Sequence, residues 1–364
     1  MKGWTGAVNL NRQRGNVTVN AALWGVSPGF ESNDLGFQTG GDIAGAHAVV
    51  LWRKLNPDRF TRQRNVWFSK WWTWNYARAL QGDGWNTSTF AQFLNYWDVW
   101  GNAGARRTVR DSRLTRGGPS ALALNGYFFN FGFDSDSRKK ISISESQNYG
   151  HNNPNAWNVN WDLGVNYKPT PSITISTGPS VTRSRGNAQY VKSVSDATAT
   201  RTFGSRYVFA DIDQFAISLT TRVNWILGPK MSLQVYAQPL ISVGRYWDFK
   251  ELAQPKTFSF LRYAQEIGDI SIDASRQYTV DPDGPGPAQP FTFDDPSFNF
   301  KSLRVNAIFR WEWRLGSTLY FVWTENRQDL SNPGVFSPGR DTARLFTAHP
   351  NDVFLVRMAY WFSK

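Results

Sequence analysis

The sequence predicts an all-β protein, an antiparallel transmembrane β-barrel of about sixteen strands. Three observations predict it: apolar and polar residues alternate along many stretches, the connections between these stretches alternate between short and long, and aromatic residues are abundant. Of the 364 residues, 16% are aromatic, with 18 Trp, and none is Cys. Side chains on a strand point alternately to opposite faces, so each alternating stretch forms a ribbon with one apolar and one polar face.

The alternation is clearest in two segments. Residues 303–315 place Leu, Val, Ala, Phe, Trp, Trp and Leu at every second position, and residues 157–167 do the same with Trp, Val, Trp, Leu, Val and Tyr. The mean hydropathy of −0.46 is low, and no uninterrupted apolar run approaches the roughly 20 residues of a membrane helix. A barrel hides its apolar residues in half of each strand, so this composition is typical of one.

An even number of strands is required if both termini of a bacterial barrel lie on the periplasmic side. The predicted strands are residues 3–11, 15–24, 42–54, 66–80, 87–102, 120–133, 139–150, 156–168, 172–182, 187–195, 203–210, 214–227, 231–247, 300–315, 318–326 and 352–362.

The connections support this order. Short turns at 315–317, 228–230, 168–171, 135–137 and 81–84 fall on one edge of the sheet, and longer segments at 248–299, 328–351, 104–119 and 151–155 fall on the other. Short periplasmic turns and long outer loops are typical of outer-membrane barrels. We therefore predict one barrel domain over residues 1–364, with long outer loops at about 248–299 and 328–351. Turns are hard to assign between 183 and 213, and the segment 26–41 is long for a periplasmic turn.

A net charge of +12 could indicate binding to nucleic acid. The sequence has no nucleic-acid-binding motif and no long basic run, so we expect no nucleic-acid partner. We expect the basic residues to face lipopolysaccharide, outer-membrane lipid or anionic solutes instead. The absence of Cys excludes thiol nucleophiles and Cys-zinc sites. The first residues contain no apolar signal-peptide core, so an exported protein with this sequence would be a mature form or a piece of a longer one.

Few residues suggest catalysis or metal binding. Residues 25–29 match the G-x-S-x-G pattern of serine hydrolases, but Pro28 follows Ser27 and has no N–H to offer an oxyanion. A Pro-Gly turn explains the motif better. His47, His151 and His349 are isolated from one another, and we predict neither a catalytic residue nor a metal site.

The loop at 248–299 is rich in proline and acidic residues. Asp281, Asp283 and Gly284 match only the start of a calcium loop, and the later ligands are missing. Asp294 and Asp295 are adjacent, so their side chains point apart rather than forming an acid–base pair. These four aspartates are candidates for binding outside the membrane, with calcium as the one cofactor that their chemistry would suit. Proline at this density, at residues 281–287 and again at residues 293–296, excludes regular strand pairing there.

The polar faces of the predicted strands hold the lumen-facing candidates. These are Arg222, Arg304, Arg310, Arg314 and Arg357, with Glu312 and Asp162 as acidic partners. In one interpretation they form a ladder of ion pairs that stiffens the wall. In the other they make a basic inner surface that favours anionic solutes or docks an acidic plug.

Three strings resemble a family of outer-membrane proteins that carry a signal peptide, an N-terminal carbohydrate-binding family 9-like domain and a C-terminal barrel named domain of unknown function 5916. The strings are residues 23–37 (LWGVSPGFESNDLGF), residues 189–190 with 207–210 (QY and YVFA), and residues 233–239 (LQVYAQP) with 248–249 (DF). The resemblance implies a bacterial outer-membrane barrel linked to carbohydrate use. It implies that the sugar-binding-like domain and first barrel strands lie outside these residues, and it brings no catalytic residues.

Three functions follow as expectations. The first is porin-like passage or capture of solutes, with an oligosaccharide or an anionic solute as the partner. The second is a plugged membrane anchor that presents a carbohydrate-binding domain. The third is an outer-membrane hydrolase, which would depend on Ser27 or on the Asp294–Asp295 pair. A soluble β-propeller is the structural alternative.

Overall fold

The computed structural model describes residues 3–33, 36, 38 and 40–362. Asp34, Leu35 and Phe37, which belong to the first string of the family resemblance, lie outside the described residues. The described strands are β1 (Thr5–Arg12), β2 (Val17–Val26), β3 (Ile43–Lys54), β4 (Thr61–Trp74), β5 (Leu80–Phe93), β6 (Asp98–Arg106), β7 (Val109–Asp111), β8 (Ala121–Ala123), β9 (Gly126–Asp134), β10 (Ile141–Asn152), β11 (Ala156–Thr170), β12 (Ile173–Ser195), β13 (Ser205–Gly228), β14 (Met231–Leu252), β15 (Phe260–Arg262), β16 (Asp269–Ile272), β17 (Gln277–Asp281), β18 (Phe291–Asp294), β19 (Phe298–Arg314), β20 (Ser317–Asp329) and β21 (Asn351–Ala359). A 3-10 turn covers Thr200–Thr202, and one helix, α1, covers Pro338–Thr347.

One large antiparallel sheet of 16 strands dominates the described residues. Its strands pair in the order β1-β2-β3-β4-β5-β6-β9-β10-β11-β12-β13-β14-β19-β20-β21, and β15 adds to β14. The all-β class and the antiparallel order are confirmed. The sheet is not closed: within the described chain, β1 pairs only with β2, and β21 pairs only with β20.

The connections divide between two edges of this sheet. On the turn edge, successive strands are joined by two to six residues, at 13–16, 55–60, 94–97, 135–140, 171–172, 229–230 and 315–316. On the loop edge, the connections are 27–42, 75–79, 107–125, 153–155, 196–204, 253–297 and 330–350. The long segment after β2 therefore lies on the loop edge with the other long connections. Its length, which is unusual for a periplasmic turn, is ordinary at this edge.

The predicted turn at 81–84 is wrong, because these residues lie inside β5. Gly82 and Gly84 are required by packing: a Cβ at either position would lie 2.5 Å from the ring of Trp71. The predicted strand 87–102 is instead a hairpin of β5 and β6. Its turn, residues 94–97, has no Gly or Pro, and Tyr96 adopts a positive φ of 65°, so the sequence does not mark it.

The separate predicted strands at 187–195 and 203–210 are also wrong, because they are the ends of β12 and β13. β12 has 23 residues and β13 has 24. Their pairing changes register between Gly186 and Gln189 and again between Tyr190 and Lys192. These bulges interrupt the alternation that marks a strand in the sequence.

The two faces of the large sheet differ in chemistry along its whole width. Directly paired residues lie on the same face of a sheet. Following the pairings from β1 to β21 therefore identifies the residues on each face. One face is apolar and exposed, with Val8, Leu23, Val50, Phe68, Phe129, Ile143, Val159, Leu219, Phe321 and Val356 among its residues. The other face is mainly Asn, Ser, Gly, Thr and Arg. We call these the apolar face and the polar face.

Polar groups interrupt the apolar face at several places, and its loop-edge end carries charged residues, among them Arg183, Arg185, Asp213, Lys301, Arg327 and Asp329. Lys70 forms an ion pair with Asp83, whose residue is 4% exposed, and Thr177 shares a hydrogen bond of 2.9 Å with Thr221. Glu145 lies between Phe133 and Leu163, and its Oε1 atom is buried without a partner within the described residues. Elsewhere the exposed side chains of this face are mostly aliphatic or aromatic.

The chain's buried apolar clusters lie at the loop edge, where β12, β13 and β14 extend far beyond their neighbours. At about 3.3 Å per residue, their 22–24 residues span roughly 75 Å. The extended ends of β12, β13 and β14, together with β7, β8 and β15–β18, form a unit that we call the head. In one cluster Val208 and Ala210 pack with Phe249, Tyr263, Val280 and Phe293. In the other, Phe209 packs with Ala121, Leu252 and Phe260.

Alternate residues of β13 therefore serve two different clusters, so both faces of the extended strands are covered. The covering elements are the three-stranded sheet β16-β17-β18 and the hairpin β7-β8. The loop predicted at 248–299 is thus a folded part of the head. The prediction that proline excludes strand pairing here is wrong in part, because Asp281 pairs in β17 and Phe293 and Asp294 pair in β18. Residues 282–290, between these two strands, form no strand.

Candidate functional site

The polar face carries a ladder of four amide side chains and one hydroxyl across five neighbouring strands. Asn102, Asn130, Asn148, Asn160 and Thr182 occupy directly opposed positions of β6, β9, β10, β11 and β12. Asn160 Nδ2 donates to Thr182 Oγ1 at 2.9 Å, and Asn148 Nδ2 donates to Asn160 Oδ1 at 3.3 Å. Amides can donate and accept at once, so such a ladder satisfies its members and still presents free groups to water or solute.

A cavity of about 670 Å³ lies between this ladder and the turn edge. Its volume falls in the range of sites for small molecules. The polar-face residues that line it are Trp100, Asp134, Ser142, Ser144, Ser146, Asp162, Gly164, Asn166, Ser176, Gly178, Ser180, Thr220 and Arg222. The cavity therefore offers hydroxyls, amides, two carboxylates, a guanidinium and an indole ring.

Two of the predicted lumen-facing residues meet at this cavity. Asp162 lies directly between Ser146 and Ser180, and Arg222 lies between Ser176 and Tyr236. The guanidinium of Arg222 sits 5.3 Å from the centre of the Tyr236 ring. Small residues around Asp162 and Arg222 leave both charged groups open to the cavity.

The other predicted charges lie on the same face, closer to β21. Arg304 lies between Gln238 and Asn326, and Arg310 and Arg357 lie on opposite sides of Tyr320. Arg310 Nη2 lies 3.0 Å from Glu312 Oε2. Near the turn, Arg314 Nη1 donates to the Tyr360 hydroxyl at 2.9 Å.

One ion pair forms among the predicted charges that the structure describes. Arg310 pairs with Glu312, whereas within the described residues Asp162, Arg222, Arg304 and Arg357 form no ion pair. Charged side chains without counter-ions require water around them.

The acidic residues of the head serve its turns. Asp281 Oδ1 accepts from Gly284 N at 2.9 Å, and Asp283 Oδ2 accepts from Ala288 N at 3.0 Å. Asp295 pairs with Arg276, while Asp294 accepts from Gln277 at 3.4 Å. Asp294 and Asp295 therefore have separate partners, and the four predicted binding residues do not converge. Within the described ranges, no group of three or more His, Asp or Glu residues could hold a metal ion.

A buried charged cluster in the head was not predicted. Arg206 Nη1 donates to both carboxylate oxygens of Glu251, at 2.7 and 2.9 Å, and Arg206 Nε lies 2.5 Å from Asp196. The Tyr263 hydroxyl donates to Glu251 at 2.8 Å. Burial and the nearby charge of Glu251 raise the pKa of Tyr263 far above its usual value. The only sequence signal was the presence of these charges among aromatic residues, which is too general to identify a partner.

The residues considered for hydrolysis have structural partners. Ser27 is buried, its Oγ accepts from Trp4 N at 2.8 Å, and its own N–H donates to Trp4 O at 2.9 Å. His47 Nε2 lies 2.6 Å from Asn20 Oδ1 on the polar face. The His151 ring lies 5.2 Å from that of Tyr127. Ser27 therefore anchors the segment before β1 and lies beside no described histidine partner.

No helix among the described residues is long and apolar enough to cross a membrane.

The chain was found to match a known protein family. A family model described as domain of unknown function (DUF5916) matches residues 1–363. No curated protein matches the chain.

Proposed function

Because this chain belongs to the DUF5916 family over nearly its whole length, and the family's function is unknown, we propose a function from the structure. In this proposal the protein is a bacterial outer-membrane protein whose sheet curves into a transmembrane barrel wall. Its apolar face contacts lipid, and its polar face borders a water-filled path for solutes. The observation that carries the proposal is the exposed apolar face that runs from β1 to β21.

The size of that face supports a lipid environment. Soluble monomers rarely expose contiguous apolar patches larger than a few hundred Å². Here large apolar side chains are 40–76% exposed on strands as far apart as β1, β9 and β21, as with Val8, Phe131 and Phe354. No second layer covers these positions in the described structure. A hydrocarbon solvent removes the cost of that exposure.

The spacing of two aromatic residues on β11 matches the height of the apolar band of an outer-membrane barrel. Trp157 and Tyr167 lie on the apolar face ten residues apart, with Val159, Leu163 and Val165 between them. Ten residues span about 33 Å, or about 25 Å across a membrane at a tilt of 40°. This is the height of the apolar band between aromatic girdles in outer-membrane barrels.

The polar face supports solute passage or capture. The cavity presents hydroxyl and amide groups that can hydrogen-bond to a polyhydroxylated solute, and Trp100 offers a ring that can stack on a sugar. Arg222 and Arg304 add positive charge that favours anions. Oligosaccharides and small anionic solutes are the classes that this chemistry fits.

Planar bilayers test the proposal when the natural full-length protein is reconstituted and its ion current is measured. We expect discrete conductance steps. Ser180→Trp places a bulky ring in the cavity on the polar face and should lower the conductance at least about twofold. Val181→Trp, its neighbour on the apolar face, is the matched control and should leave the conductance unchanged. Equal conductance in both variants contradicts passage through this cavity.

The folded head favours a second candidate function. Its two apolar clusters make it a compact body at the loop edge, so the barrel wall can serve as an anchor that presents the head or a carbohydrate-binding domain. A correctly inserted protein without any ion current supports this anchor and removes the open path.

A further inference from the structure

A second cavity, of about 430 Å³, lies in the head, and we call it the head cavity. Arg185, which lines it, is directly opposed to Asp213 on β13, and Asp211 lies two residues away on that strand. Both aspartates continue the row of Phe215 and Leu219, which belongs to the apolar face. The head cavity therefore lies on the other side of the sheet from the cavity of the polar face, so a ligand bound in it does not occupy the proposed solute path.

The lining of the head cavity has an excess of positive charge. The charged residues that line it are Arg185, Asp211, Lys250 and Arg262. Asp248 forms ion pairs with both Lys250 and Arg262 but does not belong to the lining. An anion in the cavity therefore meets three cationic groups and a single carboxylate, which favours its binding.

Lys250 is a buried donor at this cavity. It is 3% exposed, and its Nζ lies beside Asp211 Oδ1 and 3.3 Å from Asp248 Oδ2. An ammonium group carries three protons, so one proton has no acceptor within the described residues. A buried donor without an acceptor is costly, and an anionic oxygen of a ligand in the cavity removes that cost.

Two half-exposed guanidinium groups line the same cavity. Arg262 donates from Nε to Asp248 at 3.0 Å. Arg185 lies 4.9 Å from the centre of the Trp247 ring, and its Nε is 3.9 Å from Asp213, beyond hydrogen-bond distance. The terminal nitrogens of both groups therefore lack an acceptor within the described residues. Their planar arrangement of donors matches the oxygens of a carboxylate or a phosphate.

The uncharged part of the lining suits a sugar. Asn155, Asn187 and Ser259 supply amide and hydroxyl groups, and Phe258 and Phe260 supply rings. A neighbouring cavity of about 330 Å³ is also lined by Asn187 and Phe258, so a ligand longer than one sugar ring can continue into it. Amides bond to sugar hydroxyls in both directions, while an aromatic ring packs on the C–H face of the sugar.

We propose that the head cavity binds an oligosaccharide that bears an anionic group, either a carboxylate or a phosphate. The anionic group lies between Arg185, Lys250 and Arg262, and the uncharged part of the sugar packs on Phe258 and extends into the neighbouring cavity. This binding site belongs to the head alone, so it depends neither on the membrane location nor on conduction. Free acidic oligosaccharides and the sugar head groups of lipopolysaccharide share this chemistry.

Isothermal titration calorimetry on the natural full-length protein in detergent distinguishes these sources. The probes are tetragalacturonate, purified lipopolysaccharide, neutral maltotetraose and inorganic phosphate. We expect tetragalacturonate or lipopolysaccharide to bind at least about tenfold more tightly than maltotetraose and phosphate. Binding of tetragalacturonate identifies a free saccharide as a ligand, and binding of lipopolysaccharide alone identifies a lipid-borne one.

Variants locate the bound ligand. Arg262→Met and Arg185→Met each remove one guanidinium group from the lining, and each should weaken binding at least about tenfold. Arg276→Met is the matched control, because Arg276 is 50% exposed beside Asp295 elsewhere in the head, and it should leave the affinity unchanged. Hydrogen exchange of the head amides shows that each variant keeps its fold.

Four results overturn the proposal. Neither anionic saccharide binds, or the anionic and neutral saccharides bind equally well. Phosphate binds as tightly as the anionic saccharides, which removes the role of the sugar. Binding survives in both Arg262→Met and Arg185→Met, or is lost equally in Arg276→Met, which places the ligand elsewhere. The conductance of the same preparation tests the solute path separately, so either proposal can fail while the other stands.

Discussion

Arg206 and Glu251 form a two-pronged hydrogen-bonded ion pair inside the head, with both Glu251 oxygens accepting from one guanidinium nitrogen. Each residue is only 8% exposed. The pair joins β13 to β14 near the far end of their loop-edge extension, beyond the last residues of β12 and β14 that are paired with β11 and β19. It shows that the loop edge is a specifically packed body, and it gives a direct means of perturbing that body without touching the polar face.

Removing the guanidinium should destabilise the head. Arg206→Met leaves Glu251 and Asp196 buried without their partner, which should cost about 3–5 kcal/mol. Hydrogen exchange of the β16–β18 amides measures the effect. Arg262→Met is the control, because Arg262 is 45% exposed beside Asp248 and should cost at most about 1 kcal/mol. Equal effects of the two variants would show that burial of the pair is unimportant.

The head should lose stability in alkali through Tyr263. Its pKa is raised in the folded state by burial and by Glu251, so the unfolded chain loses this proton first as the pH rises. The contribution of Tyr263 to the stability of the folded head is fully present below about pH 10, the ordinary tyrosine pKa, and decreases above that pH. Tyr263→Phe should remove that part of the alkaline loss, while at neutral pH it costs about 0.5–1.5 kcal/mol for the lost hydrogen bond. Exchange rates of the head amides between pH 8 and 11 measure both; an unchanged pH slope in the variant refutes the assignment.

Residues on the two faces of β11 should respond differently to a new charge. Leu163 lies on the apolar face near the middle of the band, so Leu163→Lys should destabilise the inserted protein by about 2–4 kcal/mol. Asn160→Lys, on the polar face, should have a much smaller effect because its side chain reaches water. Urea unfolding from lipid vesicles compares them. Equal tolerance of both substitutions would argue against lipid contact on one face only.

Arg222 should control the sign of the ions that pass. It faces the cavity and forms no ion pair within the described residues, so Arg222→Gln removes one uncompensated positive charge from the path. The preference for anions should fall, shifting the reversal potential measured in a salt gradient toward that of a cation-selective pore. Arg314→Gln, which loses a charge beside the turn and the Tyr360 hydroxyl, should shift it less. A shift of equal size would mean that the cavity is not the narrow part of the path.

Much of the fold could be predicted from the sequence because a two-residue period survives wherever one face is apolar and the other polar. The strands at 156–168, 231–247 and 300–315 agree with β11, β14 and β19 to within a few residues, apart from the loop-edge extension of β14. The misassigned hairpin had two physical causes. Gly82 and Gly84 indicate a turn but make room for Trp71, while the true turn at 94–97 uses Asn, Leu and aromatic residues.

The head could not be predicted because its strands are buried on both faces. Phe209 and Ala210 are each 0% exposed, so β13 shows no alternation there, and the bulges after Gly186 break the period further. The candidate site was predicted in part. The faces of Asp162 and Arg222 followed from the alternation, but their meeting at one cavity depends on which strands are neighbours and on the small residues around them.

Site-specific spin labels along β11 test most directly whether the apolar face contacts lipid. Single cysteines at each position from 157 to 167 carry a nitroxide in the membrane-inserted protein, and relaxation by oxygen is compared with relaxation by a water-soluble nickel complex. The account predicts that oxygen dominates at 159, 161, 163 and 165, and that nickel dominates at 158, 160, 162, 164 and 166. Nickel accessibility equal at odd and even positions would contradict it.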